Sequence, residues 1–84
     1  MKTNLLILLL FCISHFAFAQ SFNEIKKSAE EGYAIAQYNL GVMYFNGVGT
    51  LTDKKQSADW TRKSCENGYE PAKEFWDKYE LYKY

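Results

Sequence analysis

The sequence predicts an all-α fold, a short α-solenoid of antiparallel helix pairs. Three observations lead there. First, the chain repeats itself. Shifted by 36 residues, "KKSAEEGYAIAQ" (Lys26–Gln37) falls on "RKSCENGYEPAK" (Arg62–Lys73), with six of twelve positions identical. A period of that size belongs to stacked helix pairs. Second, helix-capping residues and stop glycines alternate along the chain. Third, the apolar residues between them recur at helical spacing.

The N-terminus comes first. "MKTNLLILLLFCISHFAFAQ" has a basic Lys2, an apolar run from Leu5 to Ile13, and the small-x-small site Ala17-Phe18-Ala19. These are the parts of a secretory signal peptide over residues 1–19. Ser14 and His15 interrupt the run too early for a membrane span, which needs about 20 apolar residues. Bulky Phe11 before Cys12 argues against lipid attachment there. The expected product is residues 20–84, one small domain with a marginal core. Loss of Lys2, one of ten basic residues against ten acidic, leaves it close to neutral. The signs are interspersed, so no nucleic-acid footprint and no attraction to anionic membranes is expected. The product keeps no histidine and one cysteine, Cys65, so no internal disulfide can staple it. Twelve of the fifteen aromatic residues lie beyond residue 19 and must supply much of the core.

The helices follow in order. Ser21-x-x-Glu24 has the spacing of a capping box, and Gly32 sits where a C′ glycine ends a helix. A second helix runs from about Ala34 to Phe45. Ala36, Leu40, Met43 and Tyr44 form one apolar side, and Ile35, Tyr38, Val42 and Phe45 the other. Two apolar sides predict a helix packed between neighbours. Gly41 costs this helix about 1 kcal/mol relative to alanine, so it predicts a close helix approach. Gly47 reads as the stop, with positive φ, and Gly49 lets the chain reverse. Asp53-x-x-Gln56 opens a third helix that ends at Gly68. Its inward stripe is Ser57, Trp60, Thr61 and Ser64, with Cys65 beside it. Pro71 suits the start of a fourth helix, expected over about 71–82 as a C-terminal cap.

The pattern resembles the Sel-1-like repeat, a relative of the tetratricopeptide helix pairs. The residues that carry the resemblance are Ala36, Leu40, Gly41, Tyr44, Gly47 and Gly49, then Asp53, Trp60, Lys63 and Gly68, each at the family's spacing. They cover about 36–68 strongly and both flanks partially, or roughly one and a half repeats. Thr50 stands where valine is usual, and Ser57, Ser64 and Cys65 where alanine is usual. Trp76-Asp77 replaces the Leu-Gly pair in the last helix, which disfavours further stacking there. The resemblance implies a protein-binding scaffold. Some cysteine-rich relatives pair a cysteine at position 65 with one seven residues on. Ala72 stands there, so neither that disulfide nor the β-lactam chemistry associated with those relatives carries over.

Candidate chemistry is sparse. The Gly47-Val48-Gly49 loop lacks the preceding strand and the following Lys-Ser/Thr of a phosphate loop, and reads as a solenoid turn. Cys65 has no histidine base and is not expected to act as a nucleophile; an intermolecular bridge through it stays open. Glu30, Glu31, Glu66, Glu70, Glu74, Asp77 and Glu80 fall on polar helix faces or near turns and read as solvated surface. No Cys/His cluster predicts a metal site, and no cofactor is expected. Two surfaces are candidates for a protein or peptide partner. One is the polar strip of the second helix, Asn39 and Asn46. The other is the aromatic series Phe75, Trp76, Tyr79 and Tyr82, spaced as one helical stripe, whose simpler use is to close the core. The expected role is a non-catalytic exported binder or scaffold, periplasmic or secreted, with self-association as a route to more core. The alternatives are a cell-wall or β-lactam hydrolase by family analogy, or a secreted effector or inhibitor.

Overall fold

The computed structural model describes residues 21–84. The signal peptide reading of residues 1–19 lies outside them. Four α-helices follow one another: α1 over 21–30, α2 over Ala34–Asn46, α3 over Lys54–Glu66 and α4 over Glu70–Lys78. A 3₁₀ turn, Leu81–Lys83, ends the chain. No strand occurs among the described residues. Successive helices pack antiparallel, α1 on α2 and α2 on α3, with α4 against both α2 and α3. This is the predicted stack of helix pairs.

The 36-residue repeat is visible in how α1 and α3 stop. Gly32 takes φ +100°, its N–H bonds to Ala29 O, and the Tyr33 N–H reaches back to Ser28 O. Gly68 takes φ +87°, its N–H bonds to Cys65 O, and the Tyr69 N–H reaches back to Ser64 O. This is the paired bonding of a Schellman cap, in which a C′ glycine satisfies the last carbonyls of a helix. A Cβ at either glycine would meet nothing within 4 Å, so the left-handed φ alone demands glycine there.

The loop between α2 and α3 is a turn held by its own backbone. Gly47 caps α2 at φ +70°, and both its N–H and that of Val48 bond to Met43 O. The Asp53 N–H then donates to Tyr44 O at 2.8 Å, fastening the loop's end to the helix it left. The Asp53 side chain accepts the Gln56 N–H at 3.0 Å and caps α3. Lys54 Nζ reaches Phe45 O at 3.1 Å and lies over the Phe45 ring. Lys54, the lysine nearest these glycines in sequence, is therefore engaged in closing the turn.

α2 and α3 meet at the predicted glycine. A Cβ on Gly41 would collide with Thr61 Oγ1 and lie 3.2 Å from Ser57 O. The seam is lined by Ser57, Thr61 and Ser64, all fully buried. Ser64 Oγ donates to Ala34 O at 2.6 Å across it. The aliphatic core is small: Ala29, Leu40, Met43, Ala58, Ala72 and Leu81. Aromatic contacts extend it. Phe22 meets Tyr44 edge-on at 5.6 Å between α1 and α2, and Tyr38 and Phe45 interlock with Phe75 and Tyr79 between α2 and α4.

Four expectations are corrected, and one buried residue is new. Ser21 is already helical, so it does not cap α1. Ile35 is 58% exposed and does not join a buried side of α2. Trp60 is only half-buried and carries Lys63 over its ring, while Ala58 takes the inward position beside Ser57. Gln37, a polar residue, is buried instead: its amide donates to Ala29 O at 3.1 Å and its oxygen accepts from Asn67 at 2.7 Å. Finally α4 stops at Lys78 rather than near 82. Glu80 takes a left-handed φ of +51°, turning the chain so that Leu81 folds back into the core.

Candidate partner-binding surface

The solenoid places its helices so that three grooves open between them. The first lies between α2 and α4. Phe75 and Tyr79 project from α4 and its C-cap, and Tyr38 and Val42 from α2. Pro71, at the start of α4, closes one end. Centroid distances of 4.8–5.9 Å among Tyr38, Phe45, Phe75 and Tyr79 make the floor a tilted and edge-on aromatic cluster. Asn46, Glu74 and Lys78 form the rim of a space of about 350 Å³. The two flanking helices start 36 residues apart and occupy equivalent places in the repeat.

A second groove, about 640 Å³, lies at the N-terminal end between α1 and α2, with Ile25, Ser28, Tyr33, Ala36 and Asn39 along it. A third, about 360 Å³, lies at the opposite end between α3 and α4, beside Cys65, Trp76 and Asp77.

The five candidate contact residues thus do not form one surface. Asn46 and Tyr79 share the α2/α4 groove. Asn39 lies in the N-terminal groove, about two turns away along α2. Trp76 is half-buried at the far end. Tyr82 leaves the stripe altogether, because the Glu80 turn carries it off α4; it is 61% exposed with its hydroxyl on Glu80. The helical spacing of the aromatic series fails where the helix does. The groove residues Tyr38, Glu74 and Lys78 were not singled out from sequence. Pairing α2 with α4 at the period of 36 is the signal that finds them.

The arrangement offers little reactive chemistry. Cys65 is a free, half-buried thiol. Burial first, and then the nearby Asp77 carboxylate, push it above the ordinary thiol range, so it carries less thiolate than a free cysteine at neutral pH. The seven carboxylates Glu30, Glu31, Glu66, Glu70, Glu74, Asp77 and Glu80 are all exposed. Among the described residues no group of three His, Cys, Asp or Glu side chains is placed to hold a metal ion. None of their helices is long and apolar enough to cross a membrane.

Comparison with known proteins agrees with this geometry. The model of the Sel1 repeat family matches residues 34–69. The chain is 41% identical over 44 residues to the secretory immunoglobulin A-binding protein EsiB of Escherichia coli, which covers 52% of this chain and 9% of that protein. It is 38% identical over 42 residues to the sel1-like repeat-containing protein L18 of Acanthamoeba polyphaga mimivirus, covering 50% of this chain and 7% of that one. The chain therefore spans less than a tenth of the length of either relative. No solved structure matches it.

Proposed function

We propose that this chain, whose residues 34–69 match the Sel1 repeat family, is an exported, non-catalytic binding module, as members of that family generally mediate protein–protein interaction. The residue-level support is the α2/α4 groove, with an aromatic floor, one amide at Asn46 and one charge of each sign at Glu74 and Lys78. Such a groove suits an extended peptide or the edge of a protein. Buried aromatic anchors provide most of the affinity, and rim polar groups set orientation. The N-terminal segment supports export to the periplasm or outside the cell. EsiB carries its binding role in its name; here the partner is a protein or peptide of the envelope or exterior.

A hydrolase reading has no comparable support. Among the described residues Cys65 has no histidine to act as its base, and its raised pKa works against nucleophilic attack.

Capture from envelope extract tests the proposal. The chain carrying Asn46→Ala and Glu74→Ala, both exposed positions, should lose a captured partner that the unaltered chain retains. Retention of the same partner by that variant would overturn the assignment of the groove. Turnover of nitrocefin by the pure chain, abolished by Cys65→Ala, would overturn the non-catalytic reading.

A further inference from the structure

The period of 36 assigns a role to the N-terminal groove. Inside the molecule, α2 packs on the following unit through a defined set of contacts. Gly41 lets it lie against Ser57 and Thr61. The Ala34 carbonyl accepts from Ser64. Tyr38 sits on Tyr69 and Phe75, and Phe45 on Phe75 and Tyr79. Subtract 36 from the receiving residues. Thr61 becomes Ile25, Ser64 becomes Ser28, Tyr69 becomes Tyr33 and Phe75 becomes Asn39, while Ser57 and Tyr79 become Ser21 and Met43. The first four line the N-terminal groove of about 640 Å³, together with Ala36, the counterpart of buried Ala72; Ser21 and Met43 do not. The groove is the same interface one unit earlier, seen without its covering helix among the described residues. Tyr33 and Ile35 stand 64% and 58% exposed along it.

The covering helix must present an aromatic, a glycine three residues on, and a second aromatic four residues after that, as Tyr38, Gly41 and Phe45 do. Among the described residues, neither α2 nor α4, the helices at this place in the repeat, is free to present that face to another copy. In α2 the two aromatics already lie on α4. In α4 the equivalent positions are Glu74, Asp77 and Leu81, and Leu81 is fully buried in its own core. The C-terminal end is also closed to stacking, because Asp77 replaces the glycine that close approach needs.

We infer that the N-terminal groove, through Ile25, Ser28, Tyr33, Ala36 and Asn39, docks an amphipathic helix supplied by a different protein and shaped like α2. The inference rests on the export reading, since the seat belongs to the chain from residue 20 onward. Asn39 in place of Phe75 adds a specificity element. The docked helix must offer Asn39 a hydrogen-bonding group, such as a tyrosine hydroxyl, where the internal interface has only ring contacts.

The test uses the chain purified after export, its mass establishing where processing occurred. It is titrated by NMR with a helix-stapled peptide of the α2 sequence, residues 34–46; stapling matters because a helix this short is marginal in water. The expected result is saturable shifts at Ser28, Tyr33, Ala36 and Asn39. Ile35→Glu in the chain should weaken binding at least tenfold with the far-UV circular dichroism unchanged. Gly41→Leu in the peptide should do the same. Absence of saturable binding, shifts centred on Trp76 and Tyr79, or indifference to Ile35→Glu would overturn the proposal. Dimerisation of the chain through this face, lost in Ile35→Glu, would overturn it in favour of a second copy. A mass that retains residues 1–19 would count against export instead, and is read separately from the titration.

Discussion

Ser57 and Ser64 both face α2 from α3, and both are fully buried, yet only one of them has a partner. Ser64 Oγ donates to Ala34 O across the seam. Ser57 Oγ and Thr61 Oγ1 have none among the described residues. A buried hydroxyl without a partner keeps its desolvation penalty, whereas a paired one returns a net gain. The two serines should therefore respond oppositely to alanine. Ser64→Ala should lower stability by about 1 kcal/mol, the net worth of a typical hydrogen bond. Ser57→Ala should leave stability unchanged or raise it by up to about 1 kcal/mol, since alanine is also the better helix former. Urea midpoints of the two variants measured side by side decide this. Gly41 faces these residues from α2. Ordinary helix propensity favours Gly41→Ala by about 1 kcal/mol, but the new Cβ would strike Thr61 Oγ1 and press on the Ser57 carbonyl. Overpacking of this kind costs about 1–3 kcal/mol, so the net effect should be destabilising. Thermal melts of G41A alone and with Thr61→Ala check it, and the second change should restore most of the loss.

At the scale of the helices, the C-terminal end is closed by a residue outside any α-helix. Leu81 is fully buried, carried there by the left-handed turn at Glu80. Leu81→Ala should cost about 2–4 kcal/mol, as for other buried leucines. That matches the whole stability expected of so small a domain, so the variant should be largely unfolded, which dye binding and far-UV circular dichroism would report together. This turn marks the limit of what was legible. The glycine stops at 32, 47 and 68, the Asp53 cap, the Pro71 start and the Gly41 approach could all be read, because each rests on a local backbone rule that one residue type satisfies. Glu80 carries no such signature: glutamate rarely adopts positive φ, so the spacing of Tyr79 and Tyr82 looked like continued helix. Gln37 was hidden for a different reason. Its burial depends on two partners, Ala29 O and the Asn67 amide, which lie 8 and 30 residues away and which no periodicity reveals. The candidate surface was legible only in part. Asn46 and Tyr79 do share a groove, but Asn39, Trp76 and Tyr82 fall on other faces, because the faces are set by how the helices stack.

For the whole molecule, the contrast is between a well-specified fold and a small core. Among the described residues six aliphatic side chains are buried, and three of them are alanines. The polar seam and the aromatic cluster add specificity more than apolar area. Helical stacks commonly need three or more units to bury a continuous core, and a domain of this size, with no disulfide among the described residues, rarely exceeds a few kcal/mol of stability. The relatives embed the same unit in chains more than ten times the length of the matched stretch. On this account the molecule is a short stack whose grooves wait for a partner to complete them. Equilibrium urea denaturation of residues 20–84, with sedimentation to establish the monomer, tests that most directly. The predicted result is a monomer with an unfolding free energy of about 2–4 kcal/mol. A monomer above about 6 kcal/mol, within the ordinary range of self-sufficient domains, would contradict it.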